Sequence, residues 1–184
     1  ERLLEYVDPQ EGTLVLFSSR SQMQAVRRSL EDSPLDGLII TQDDYTKNEV
    51  LRRHRERIDQ DLGNIVFGLA SFSEGVDLPG RYLTHVVIVR LPFAVPDDPV
   101  EATLAEWIQA RGGNPFLEVS LPDAATKLVQ ACGRLLRSET DQGRITVLDR
   151  RLVSRWYGKR LLNALPALDR KSTRLNSSHH QVSR

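Results

Sequence analysis

Five short apolar runs separated by polar, helix-compatible stretches constrain this chain more than any other feature of its sequence. They are LVLFS (14–18), LII (38–40), NIVFGL (64–69), HVVIVRL (85–91) and RITVLD (144–149). Unbroken runs of Val, Ile, Leu and Phe suit strands buried on both faces, and strands that alternate with helices predict an α/β sandwich with a mainly parallel sheet. Helical segments are expected over 21–31, in the charged stretch 47–59, from Pro99 towards Gln109, and from Pro122 and Asp123 towards Arg137. Gly112 and Gly113 close the third of these.

At 184 residues and 40% hydrophobic content, the chain has enough apolar mass for one ordinary domain. Its 25 Lys and Arg balance 25 Asp and Glu, so no global basic field exists and any nucleic-acid binding must come from local patches. A single cysteine, Cys132, excludes a disulfide framework and an iron–sulfur cluster ligated within this chain. No apolar run approaches a membrane span and the start lacks a signal peptide, so a cytoplasmic location with no membrane partner is expected. The first residue is Glu1, which suggests a piece of a longer protein. Periodicity is lost from about Lys171 in KSTRLNSSHHQVSR, and 169–184 reads as a disordered, non-native tail.

Three segments carry candidate chemistry. In QACGRLLR (130–137), a helix of about 100° per residue places Gln130, Arg134 and Arg137 within about 60° of one another. Leu128, Cys132, Leu135 and Leu136 project on the other side, and Gly133 beside the stripe permits close approach. Two arginines held on one stripe suit stabilisation of the charge that develops on a transferred phosphoryl group, although an amphipathic surface helix shows the same pattern. SFSEGVDLPG (71–80) follows a strand, where parallel sheets place ligands. There Ser71 and Ser73 can donate to phosphate oxygens, Glu74 and Asp77 can orient an arginine or accept from a ribose hydroxyl, and Gly75 permits backbone approach; a capped turn uses the same residues. At the exit of the first strand, Ser18, Ser19, Arg20 and Ser21 suit a nucleic-acid phosphate or a helix cap.

LVLFSSRSQ, GLASFSEGVDLPG and QACGRLLR, in this order, resemble motifs IV, V and VI of the second RecA-like domain of superfamily 2 helicases, in the DinG branch of the XPD-like group. The resemblance covers nearly all of 14–166. It implies a RecA-like three-layer sandwich over 1–168 acting as the second motor domain of an ATP-dependent 5′–3′ DNA helicase. On that resemblance Arg134 and Arg137 reach the ATP phosphates and Gln130 sets their helix against the nucleotide. Glu74, Gly75, Asp77 and Gly133 border the nucleotide, while Ser18, Ser19, Arg20, Ser71 and Ser73 are contacts to single-stranded DNA.

The chain has no GxxxxGK[ST] loop and no acidic DExH motif. ATP and Mg²⁺ are therefore expected to be held mainly by an upstream motor domain of the same polypeptide, with any iron–sulfur cluster also upstream and no activity in the isolated fragment. The rival reading is a non-catalytic RecA-like module that binds DNA or a partner.

The remaining features have ordinary expectations. Arg52, Arg53, Arg55 and Arg57 with His54 read as a solvated helix face, and Arg151, Arg155 and Lys159 as one face of a helix that suits DNA phosphates or plain solubility. Trp107 and Trp156 are expected to be packing anchors rather than base-stacking platforms, and Cys132 a buried hydrophobe. The scattered histidines suggest no metal site.

Overall fold

A computed structural model describes residues 2–93, 99–135, 143–165, 169–174 and 178–183. The expected strands all form: β1 (Gly12–Phe17), β2 (Ile39–Thr41), β3 (Asn64–Leu69), β4 (His85–Ile88) and β5 (Arg144–Val147). They lie in the order β2-β3-β1-β4-β5 and every neighbouring pair is parallel. Alternate residues of each strand feed opposite layers. Leu14, Leu16, Val66, Val86, Ile88, Ile145 and Val147 face one core, with Leu128 and Cys132 from α5 (Leu121–Gly133) and Leu161 from α7 (Gly158–Ala164). Val15, Phe17, Ile65, Phe67 and Val87 face the other, with Met23 from α1 (Arg20–Ser29) and Leu3 and Val7 from the first turn. The result is the α/β sandwich with a parallel sheet that the alternating runs predict, in the three-layer RecA-like form that the resemblance implies.

Helix α2 (Lys47–Asp59) fills the charged segment, and α4 (Pro99–Ala110) the third helical segment. Among the described residues no helix is long and apolar enough to cross a membrane. Three departures from expectation have local causes. First, α5 stops at Gly133 instead of reaching Arg137. Glycine weakens the helix, and the amides of Arg134 and Leu135 fall back to the carbonyls three residues earlier, at 3.2 and 3.1 Å, which tightens the last turn. Second, 151–159 is not one helix: α6 (Arg151–Ser154) ends, and Arg155 adopts an extended conformation before α7. Third, the backbone of the expected disordered tail forms β6 (Asp169–Arg174) and β7 (Ser178–Ser183), with β7 antiparallel to β5. An uncovered β5 would present a row of unpaired N–H and C=O groups, and an adjacent extended chain can satisfy them whatever its side-chain pattern.

Candidate functional site

A cleft of about 250 Å³ opens at the carboxyl ends of β1, β3 and β4, and residues from all three motif segments line it: Ser18, then Ser71, Ser73 and Glu74, then Gln130. The crevice beyond the carboxyl ends of parallel strands is where this class of sheet binds ligands, because loops and helix starts converge there.

From β1 the chain passes directly into α1. Ser19 caps that helix, its hydroxyl accepting from the Gln22 amide at 3.2 Å, so this side chain serves the fold. Ser18, exposed at the rim, donates to the Gln22 side-chain oxygen at 3.1 Å. Arg20 is 62% exposed and pairs with Asp43 at 3.1 Å, away from the cleft lining.

After β3 the short helix α3 (Ala70–Ser73) leads into a turn closed by the Val76 amide on the Ser73 carbonyl at 3.1 Å. Glu74 at φ −63°, ψ 123° and Gly75 at φ +69° give this turn its type II form, which needs the positive φ that glycine adopts without strain. Two cations from α2 hold the loop by its backbone: Lys47 donates to the Glu74 carbonyl and Arg55 to the Asp77 carbonyl. The solvated-face expectation for α2 thus holds for Arg52, which pairs with Glu49 and Glu56, but not for Arg55. Nor does it hold for His54, which is wholly buried between Asn64 and the Tyr82 carbonyl. Ser71 is exposed to the cleft, whereas Ser73 is buried with its hydroxyl donated to the Ala70 carbonyl at 2.6 Å. Glu74 lines the cleft and Asp77 does not.

Helix α5 buries Leu121, Ala124, Leu128, Ala131 and Cys132 against the sheet and turns Gln130 outward into the cleft. Burial pushes the Cys132 thiol up to about 12, which leaves it a neutral packing group. Arg134 is the C-cap. It keeps right-handed backbone angles and is half-buried, with its Nε enclosed and without a hydrogen-bond partner among the described residues. It does not itself line the cleft. Gly133 is exposed, and a side chain there would meet nothing within 4 Å, so another surface can approach. Arg137, like Leu136, lies outside the described residues.

The structure adds groups that were not singled out from sequence. Lys127 and Arg90 also line the cleft. Extending the polar stripe of Gln130 one turn towards the helix start finds Lys127, and Arg90 is the first charge beyond β4, just as Ser18 is the first polar group beyond β1. Asp149, buried beyond β5, accepts from the Leu91 amide at 2.9 Å and pairs with Arg151 at 2.6 Å, tying the exits of β4 and β5 together. Burial works to raise its pKa, but the hydrogen bonds from Arg151 and from the Leu91 and Arg151 amides outweigh it and hold the carboxyl below its usual range. The two tryptophans are not packing anchors: Trp107 is 55% and Trp156 61% exposed. An amphipathic pattern marks an apolar face without showing what covers it.

A parallel sandwich with three polar motif segments converging on one edge is the architecture of a helicase motor domain, and the chain belongs to the helicase C-terminal domain family, whose model matches residues 3–168. It is 42% identical over 170 residues to the ATP-dependent DNA helicase DinG of Photobacterium profundum, an alignment covering 91% of this chain and 25% of that protein. It is 39% identical over 155 residues to the DinG of Escherichia coli (strain K12), covering 84% and 21%. The chain thus spans about a quarter or less of the length of these relatives. A solved XPD helicase shares the fold with a TM-score of 0.65 at 22% identity, over 88% of this chain and 29% of that one. An apo form of XPD gives 0.63 at 22% identity, over 90% and 33%.

Proposed function

We propose that this chain is the second motor domain of an ATP-dependent 5′–3′ DNA helicase, working across a cleft from a first motor domain in the same polypeptide. The observation that carries the reading is the convergence of Ser18, Ser71, Glu74 and Gln130 on one sheet edge, in a chain whose relatives are named ATP-dependent DNA helicases. The residues suit ATP. Arg134 has an enclosed Nε with no partner among the described residues, Gly133 beside it is open, and Gln130 faces outward one turn earlier. When bound, ATP supplies the phosphoanhydride whose cleavage drives movement.

Arg134 and Arg137 offset the negative charge that builds on the phosphoryl oxygens, an effect worth roughly 10³–10⁵ in rate. Gln130 orients that end of α5. The fixed turn around Gly75 carries Glu74 against the nucleotide side and Ser71 against a single-stranded DNA backbone, so one rigid loop couples the two. The phosphate-binding loop, the Mg²⁺ ligands and any iron–sulfur cluster belong to the partner domain. In the full-length protein, Arg134→Ala and Arg137→Ala are each expected to abolish ATP turnover and unwinding while largely sparing DNA binding. Steady-state hydrolysis near the wild-type rate in both variants would refute the assignment. The 184-residue chain alone is expected to show no turnover.

A further inference from the structure

A second, more open cleft of about 730 Å³ lies one strand along the same edge, at the exits of β4 and β5, lined by Arg90, Asp149, Arg150, Arg151, Ser154 and Arg155. Its one carboxylate is already matched, because Asp149 is held by Arg151 at 2.6 Å. Arg90, Arg150 and Arg155 are exposed and have no carboxylate within ion-pair distance among the described residues. In a chain of zero formal charge, three guanidinium groups around one cleft with no such partner among the described residues are a local surplus that suits an anion with several charges. Arg90 lines both clefts, so the surface is continuous from Ser18 and Ser71 to Arg155.

The next residue is Trp156. The chain leaves α6 at Arg155 in extended form, and the corner is tight: a side chain at Gly158 would collide with the Leu152 carbonyl. Tyr157 is buried against Phe93 and Phe116, with ring centroids at 5.5 and 5.2 Å. Anchoring on both sides holds Trp156 in place while leaving it 61% exposed, its ring meeting Tyr157 and Phe116 in edge-on contacts at 5.6 and 6.3 Å. The Arg160 guanidinium stands 5.5 Å from its ring centre.

We infer that Trp156 is a stacking platform for a base of single-stranded nucleic acid, with Arg90, Arg150 and Arg155 taking the adjoining phosphates. A fixed, exposed indole beside unpaired cations is the combination that binds a single strand without regard to sequence: the ring takes any base face, and the arginines follow the backbone. Tyr157 and Phe116 meet the ring edge-on and Arg160 stands near it, while 61% of the residue stays exposed to a planar partner. The inference rests on the motor-domain reading and extends its DNA path by one subsite beyond the cleft of Ser18 and Ser71.

The test is binding of a fluorescein-labelled oligothymidylate to the full-length protein, followed by anisotropy over a range of salt concentrations. Trp156→Ala is expected to weaken binding about 5- to 100-fold, the range of one lost stack, and Trp156→Phe to restore most of it. Arg155→Ala is expected to lower the slope of log affinity against log salt by about 0.7, one phosphate contact on a single strand. Wild-type affinity in Trp156→Ala overturns the platform, and if Arg134→Ala still stops hydrolysis the motor reading survives that loss. Equal weakening by Ala and Phe together with a lower Tm also overturns it, in favour of a packing role. Failure of the wild-type protein to bind the oligonucleotide removes both the platform and the reading beneath it.

Discussion

At the amino edge of the sheet, several polar side chains pair with one another inside the molecule, while at the carboxyl edge several face outward. Asn64 donates to the Leu38 carbonyl at 2.7 Å and meets His54 at 2.9 Å. His85 meets Thr146 at 2.8 Å, and Arg144 pairs with Glu11 at 2.9 Å. At the other side of the sheet, Gln130, Arg90, Arg150 and Arg155 are exposed. On the proposed function, one edge serves stability and the other recognition.

The largest expected effect that could break this contrast lies at the closed edge. Asn64→Ala strands both the His54 ring and the Leu38 carbonyl and is expected to cost about 2–4 kcal/mol. At roughly 2–4 °C per kcal/mol, calorimetry should record a Tm lower by roughly 5–15 °C. Turnover per folded full-length molecule should be unchanged, and a catalytic defect without loss of stability would erase the division between the edges.

Acid sharpens the same contrast. Burial, and secondarily the charge of Arg144, lowers the pKa of His85 from 6.5 to about 3. Below pH 6.5 the unfolded chain takes up a proton that the folded chain refuses, so stability is full above that pH and falls as pH drops towards 3. The expected slope is about 1.4 kcal/mol per pH unit from this group, and His54, lowered chiefly by burial, adds in the same direction. Denaturant titrations between about pH 7 and about pH 4.5 should show a shallower slope in His85→Gln than in the wild type; parallel curves would contradict the assignment.

A smaller effect is expected at Gly75, where the open edge depends on backbone form. Nothing but Lys47 Nζ, at 3.9 Å, stands near a side chain added there, so Gly75→Ala pays only for its positive φ, about 1–2 kcal/mol. Gly75→Asn should recover part of that loss. A cost well above this range would mean that the loop is held by contacts beyond Lys47 and Arg55.

What is legible in the sequence divides by range. The strands are visible because parallel strands buried on both faces need unbroken β-branched and aliphatic runs, and Leu14 to Phe17 and His85 to Ile88 are such runs. The burial of Leu128, Cys132 and Leu135 follows from helical spacing alone. Contacts between distant segments are not visible: nothing near Lys47 or Arg55 in sequence announces that they grip the loop after β3, and nothing near Asp149 announces Leu91. Helix length is overestimated because the arginine stripe continues in sequence past Gly133 while the backbone hydrogen bonds shorten to three-residue spacing at Arg134 and Leu135. The exposure of Trp156 is hidden because its partner Phe116 comes from another part of the fold and meets only the ring edge.

The most direct measurement pairs DNA-stimulated ATP hydrolysis by the full-length protein with thermal unfolding, for Gln130→Ala. Gln130 is exposed, lines the cleft and contributes nothing to the core, so turnover is expected to fall by about tenfold or more, a barrier change of about 1.4 kcal/mol, with Tm unmoved. Unchanged turnover, or a loss that follows a falling Tm, would contradict the account of this edge as one half of a motor site.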